Sequence, residues 1–154
     1  MGFLDIDEDV DFFVDLNNSG NASARNLVET ANMQKITSKV VSLDNFLLKN
    51  EIDTIDIIKC DVEGSELLVF RGGLKTLKSH APIIFTEMLR KWAIKYNYHP
   101  NETIQLLTSL GYRCFTIKDN RLLEFFSMNE ETVEKNFFFL HRDKHSEQIR
   151  SLEY

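Results

Sequence analysis

Asp61, Glu63 and Glu66 fall within six positions of one another, at the end of the run IDIIKCDVEGSELLVFRGG (Ile55 to Gly73). A further acid, Glu87, closes the apolar run IIFTEML (Ile83 to Leu89). Carboxylates at the tip of a strand can orient a hydroxyl, accept its proton or hold a cation. Each also has a structural reading. Glu63 and Glu66 stand at a helix start, where the macrodipole favours acids and free N–H groups need acceptors; for Glu66 that reading leads. Asp61 shares a strand face with Lys59, so an ion pair competes with a ligand-facing role. The remaining candidates are weaker. His141 and His145 lie four apart with no partner set at metal spacing, so a surface pair is expected, not a zinc site. Arg90, Lys91, Trp92, Tyr96 and Tyr98 follow the second acid-tipped run and could line a substrate wall or simply pack. Neither Walker A nor GxGxxG is present, and no nucleophile signature is recognisable.

The elements that must position these acids follow from periodicity. Ile55 to Val62 carries apolar residues on both faces, the pattern of a central parallel strand. Gly64 permits a tight turn. Leu67, Phe70, Leu74 and Leu77 then recur at helical steps, and Gly72-Gly73 interrupts them, predicting helix, break and second helix. Pro82 ends this crossover, and Ile83 to Leu89 returns as a strand. Strand, helical crossover and strand make a βαβ unit with parallel strands. Ligands of such sheets bind beyond the carboxyl ends of the strands, which is where Asp61 and Glu87 lie.

Upstream, Phe12 to Val14 reads as a short strand before a polar loop, and Val40-Val41 as another β-branched run. Ser42 is the expected N-cap of a short helix reaching about Asn50. Downstream, Asn101 is the expected cap of a helix carrying Ile104, Leu107 and Leu110 and closed by Gly111. YRCFTI, NRLLEFF and NFFFLHRD read as antiparallel strands, and residues 144–154 as a polar tail.

The totals narrow the function classes. One domain is expected from 154 residues. A net charge of −6 and a pI near 5.2 argue against nucleic acid or an anionic membrane as partner. No run approaches a membrane span, and the acidic start lacks a signal peptide's basic region, so a cytoplasmic location is the default. Cys60 and Cys114 sit in apolar runs and read as buried, reduced thiols. The sequons at Asn17, Asn21 and Asn101 read as chance matches.

The segment Val41 to Met88 resembles the FkbM family of S-adenosylmethionine-dependent methyltransferases. Leu43-Asp44, Ile55-Asp56, Lys59, Asp61, Val62, Glu63, Gly64, Glu66 and Gly72 match its signature, and the likeness extends more weakly over residues 10–143. The resemblance implies an α/β, Rossmann-like class I methyltransferase fold, with parallel central strands and an antiparallel C-terminal edge. It also implies S-adenosylmethionine as cofactor and O-methylation of a small-molecule or saccharide acceptor. Asp61 and Glu63 would be catalytic, Asp61 would also face the cofactor, Glu87 would face the substrate, and no resident metal is expected. A variant has the acids hold a divalent cation that polarises the acceptor hydroxyl.

The family's opening strand and its Asp-x-Gly-x-x-x-Gly turn have no match here. The chain is therefore expected to be the C-terminal half of such a domain, a fragment or a shortened gene. Two other readings stay open. One is a non-catalytic interaction domain pairing through an exposed sheet edge, with which a homo-oligomer is compatible. The other is an unrelated α/β binding domain with the same strand–turn–helix geometry.

Overall fold

The computed structural model describes residues 1–15, 22–24 and 33–154, an α/β fold with two mixed sheets. The first sheet is built from β1 (Gly2–Phe3), β2 (Glu8–Asp15), β3 (Ala22–Ser23) and β4 (Met33–Val41), in the order β1-β4-β2-β3. β2 and β4 pair antiparallel along their whole length, and β1 runs parallel to the end of β4. The polar loop expected after Val14, with Asn17 and Asn21, lies outside the described residues.

Helix α1 (Leu43–Lys49) begins where the sequence places it. The Ser42 hydroxyl accepts from the Asn45 amide, and Asn50 closes the helix. Asp7 reinforces this start by accepting from the Ser42 amide at 2.7 Å and the Asn45 side chain at 2.8 Å.

The second sheet holds β5 (Ile57–Cys60), β6 (Ile83–Glu87), β7 (Tyr112–Lys118), β8 (Arg121–Glu124) and β9 (Asn136–His141), in the order β5-β6-β9-β7-β8. β5 and β6 are parallel, as the crossover logic requires, while the other three pairings are antiparallel. One expectation fails here. β5 is shorter than Ile55 to Val62 and lies at an edge of the described sheet, not at its centre. Ile57 is 68% exposed, and the outer side of β5 has no neighbouring strand among the described residues. A two-faced apolar pattern reports that burial is wanted, not that this chain provides it.

The crossover is two short helices, α2 (Glu66–Arg71) and α3 (Leu74–His80). The glycine break turns Leu74 off the apolar face, leaving it 38% exposed while Leu67, Phe70 and Leu77 are buried. Gly72 is needed for a close approach: a Cβ there would stand 2.2 Å from the Leu4 carbonyl oxygen. After β6 come α4 (Arg90–Ala93), a single 3-10 turn (Ile94–Tyr96) and α5 (Pro100–Ser109). The cap of α5 is His99, not Asn101. Its ring accepts from the Asn101 amide, Glu102 accepts from the His99 amide, and Pro100 occupies the first turn. Asn101 instead exchanges hydrogen bonds with the Met128 backbone at 2.7 and 3.0 Å.

The core fills the space between the sheet and α2, α3 and α5. Cys60, Phe70, Leu77, Ile84, Leu107, Tyr112, Phe137 and Phe139 are all buried in it. At about 25 cal/mol per Å² of apolar surface, each such side chain contributes ~1.5–3 kcal/mol. The residues expected as a polar tail form helix α6 (Ser146–Leu152). Its Ile149 is buried against Phe115, Leu122 and Leu140 on the other sheet face. Arg113 ties this end to the sheet by pairing with both Glu124 and Glu153.

Candidate active site

The parallel register places Ile57 beside Ile83 and Cys60 beside Thr86. Continued by one residue, it sets Asp61 beside Glu87, on strands ~4.8 Å apart. The alternation that puts Cys60 and Thr86 in the core turns both acids to the opposite face of the sheet. Lys59 shares that face and pairs with Asp61 at 3.2 Å. This pair is well exposed, so it contributes little stability and leaves the carboxylate accessible.

The chain leaves β5 through two consecutive left-handed residues, Glu63 (φ 51°) and Gly64 (φ 100°). Glycine is required at the second: a Cβ on Gly64 would stand 2.7 Å from the Trp92 backbone of α4. Left-handed backbone at Glu63 costs roughly 1 kcal/mol. Burial holds the Glu63 carboxyl above its ordinary value, and the charges of Asp61 and Glu87 push it the same way. Lys91 opposes them. Asp61, Glu63 and Glu87 therefore share one electrostatic neighbourhood. Among the described residues no group of three or more His, Cys, Asp or Glu side chains is placed to hold an ion.

Glu66 stands apart from that neighbourhood. It is buried, accepts from the Gly64 amide at 3.0 Å, and meets the Tyr98 hydroxyl at 3.1 Å. The same hydroxyl lies 2.8 Å from the Gly64 carbonyl and accepts from the Leu67 amide at 3.4 Å. Burial raises the Glu66 carboxyl, with these hydrogen bonds acting against it. Glu66 thus holds the turn, in line with its helix-start reading. Tyr98 is the participant that periodicity missed. It was a candidate for a substrate wall, and its hydroxyl clamps the turn from 34 residues away.

Asp44 is likewise structural. Its carboxylate accepts from the amides of Lys75 and Thr76 at 3.0 and 2.8 Å and from the Thr76 hydroxyl at 2.7 Å. It caps α3 from outside, while its own amide donates to the Gly72 carbonyl at 3.0 Å. Cys60 and Cys114 are free and buried, and burial pushes both thiols well above their ordinary value. His141 and His145 bond the local backbone, through the amides of Asp143 and His141 respectively.

A parallel strand pair joined by a helical crossover defines an α/β protein, and the acids at the carboxyl ends of its strands make a candidate ligand site. The chain belongs to the FkbM methyltransferase domain family, whose profile matches residues 6–114. No curated protein and no solved structure matches it. Among the described residues no helix is long and apolar enough to cross a membrane.

Proposed function

We propose that this chain serves S-adenosylmethionine-dependent O-methylation of a hydroxyl on a saccharide or other small metabolite, on a Rossmann-like scaffold. The observation that carries the reading is the parallel register of β5 and β6, whose continuation brings Asp61 beside Glu87, together with a Glu63 carboxyl raised by burial and by the charges of both. Three carboxylates sharing one neighbourhood favour a cationic ligand, so the donor set fits the sulfonium and ammonium end of the cofactor. Asp61 would face that end. The described residues offer no glycine-rich turn for the rest of it. When bound, the cofactor supplies an electrophilic methyl group.

Asp61 orients the acceptor hydroxyl and accepts its proton, and Glu63 and Glu87 fix the acceptor through further hydrogen bonds. Proton acceptance of this kind is worth ~10²–10⁴-fold in rate. Asp61→Asn is therefore expected to lower methyl transfer by that factor with the fold intact, since the side chain is exposed. Unchanged transfer would remove Asp61 from the mechanism.

A second reading rests on the open β5 edge, where Ile57 is exposed and one side of the strand lacks a partner among the described residues. Such an edge can pair with a second copy of the chain in a non-catalytic interaction domain. The two readings separate in one experiment: calorimetric titration with S-adenosylmethionine, with mass followed by light scattering. Binding with Kd on the order of micromolar, about −8 kcal/mol, supports the first. A dimer that takes up no cofactor supports the second.

A further inference from the structure

We propose that the cleft beyond β6 binds an anionic group, a carboxylate or a phosphate, carried by the methyl acceptor. The cleft has a volume of about 540 Å³ and lies between α4 and the start of α5. That volume is within the range of small-molecule sites. Arg90, the first residue of α4, lines it with a side chain only 28% exposed. The Arg90 Nη2 donates to the Glu130 carbonyl at 3.1 Å, but Nη1 is buried with no hydrogen-bond partner among the described residues.

A buried guanidinium nitrogen without a hydrogen bond is costly, and a bound anion is one way to satisfy it. The Glu130 carboxylate stands 3.8 Å from Nη1, too far for a hydrogen bond. Its side chain is 97% exposed, so solvent screens this pair and the carboxylate can be displaced. The other acid of the cleft, Glu102, is already committed, since it accepts from the His99 amide and faces Arg71 at 3.9 Å.

Lys91 adds a second positive charge to the same cleft and is close enough to Glu63 to lower its carboxyl. Lys91 thus links the cleft electrostatically to Glu63. An acceptor with an acidic group in the cleft would extend its hydroxyl toward Asp61. The guanidinium fork suits the two oxygens of a carboxylate or phosphate. That the anion belongs to a methyl acceptor rests on the methyl-transfer reading; the anion site itself stands or falls without any methyl transfer.

Trp92 is the single tryptophan and follows Lys91, whose Nζ lies 4.3 Å from its ring centroid. Its fluorescence is therefore a local reporter for titration of the full chain with inorganic phosphate, glucuronate and neutral methyl glucoside. A saturable change is expected with phosphate if the natural group is a phosphate, with glucuronate if it is a carboxylate, and with neither for the glucoside. Arg90→Ala is expected to weaken that binding at least about tenfold. Arg90→Lys, which keeps the charge and stem but loses the fork, covers the case in which the alanine variant does not fold and is expected to weaken binding as well.

Lys78→Ala is the control for a second cleft, at the opposite end of the sheet, which also has basic lining. It is expected to change nothing. Saturation by neither anion, wild-type affinity in a folded Arg90 variant, or loss of binding in Lys78→Ala would each overturn the proposal. Anion binding without methyl transfer would defeat the methyltransferase reading alone, and transfer without anion binding would defeat this one alone.

Discussion

Glu66 and Asp61 are both acids of one signature, and their surroundings give them opposite work. Asp61 is exposed beside a lysine, whereas Glu66 is buried under Tyr98. Burial raises the Glu66 carboxyl above 4.5, so the folded chain keeps this proton at pH values where the unfolded chain has released it. Stability from this group is accordingly full below the unfolded value and falls as pH rises through the window above it. Glu66→Gln keeps an acceptor for the Gly64 amide and removes the titration. Its melting temperature is expected to exceed the wild type's near neutral pH, by a margin that closes toward about pH 4. Melting curves at both pH values decide this, and a constant gap would show that the carboxyl does not titrate within the window. None of this was legible in the spacing. An acid at the first turn of a helix reads the same whether a tyrosine from a distant loop covers it or not.

At the scale of elements, the signature divides into residues that build and residues left free. Leu43 packs against Gly73, Asp44 caps α3, and Gly72 admits the β1–β2 connection at Leu4. Asp44→Ala leaves two amides and a hydroxyl of the α3 start without their acceptor, and is expected to cost ~1–2 kcal/mol. Chemical denaturation would read this as a lower midpoint with unchanged slope. A loss below a few tenths of a kcal/mol would mean that water replaces the cap at no cost. The elements themselves were largely legible. Ser42 and Asn50 bound α1, the glycine pair breaks the crossover, and the hairpin β7–β8 and strand β9 are antiparallel. His99 hid as a cap because histidine is an uncommon acceptor there, and Asn101, two residues on, offered the commoner type. Helix α6 hid because Ile149 is the single residue of that stretch buried in the apolar cluster it joins. One apolar residue gives no period to read.

Across the whole molecule, the two margins of the second sheet are treated differently. At β8 the end of the chain lies alongside: the Tyr154 amide donates to the Leu122 carbonyl, and Glu153 bridges to Leu122. At β5 no strand of the described residues does the same. The parallel pairing of β5 with β6 followed from the crossover, because handedness and hydrogen bonding leave few alternatives. The place of β5 at the margin could not follow from it, since strand order depends on partners that a local pattern does not encode.

The Tyr98 hydroxyl gives the site a property that neither loop has alone. The ring borders the cleft of Arg90, while its oxygen reaches the Gly64 carbonyl and Glu66. Whatever steadies one loop must therefore steady the other, and thermodynamic reciprocity makes the effect equal in both directions. Occupancy of the cleft and the protonation of the turn are expected to be linked quantities. In wild type, phosphate affinity measured by Trp92 fluorescence is expected to respond to Glu66→Gln. In a Tyr98→Phe background the same substitution is expected to have no effect, and an equal response in both backgrounds would show that the two loops sense one another by some other route.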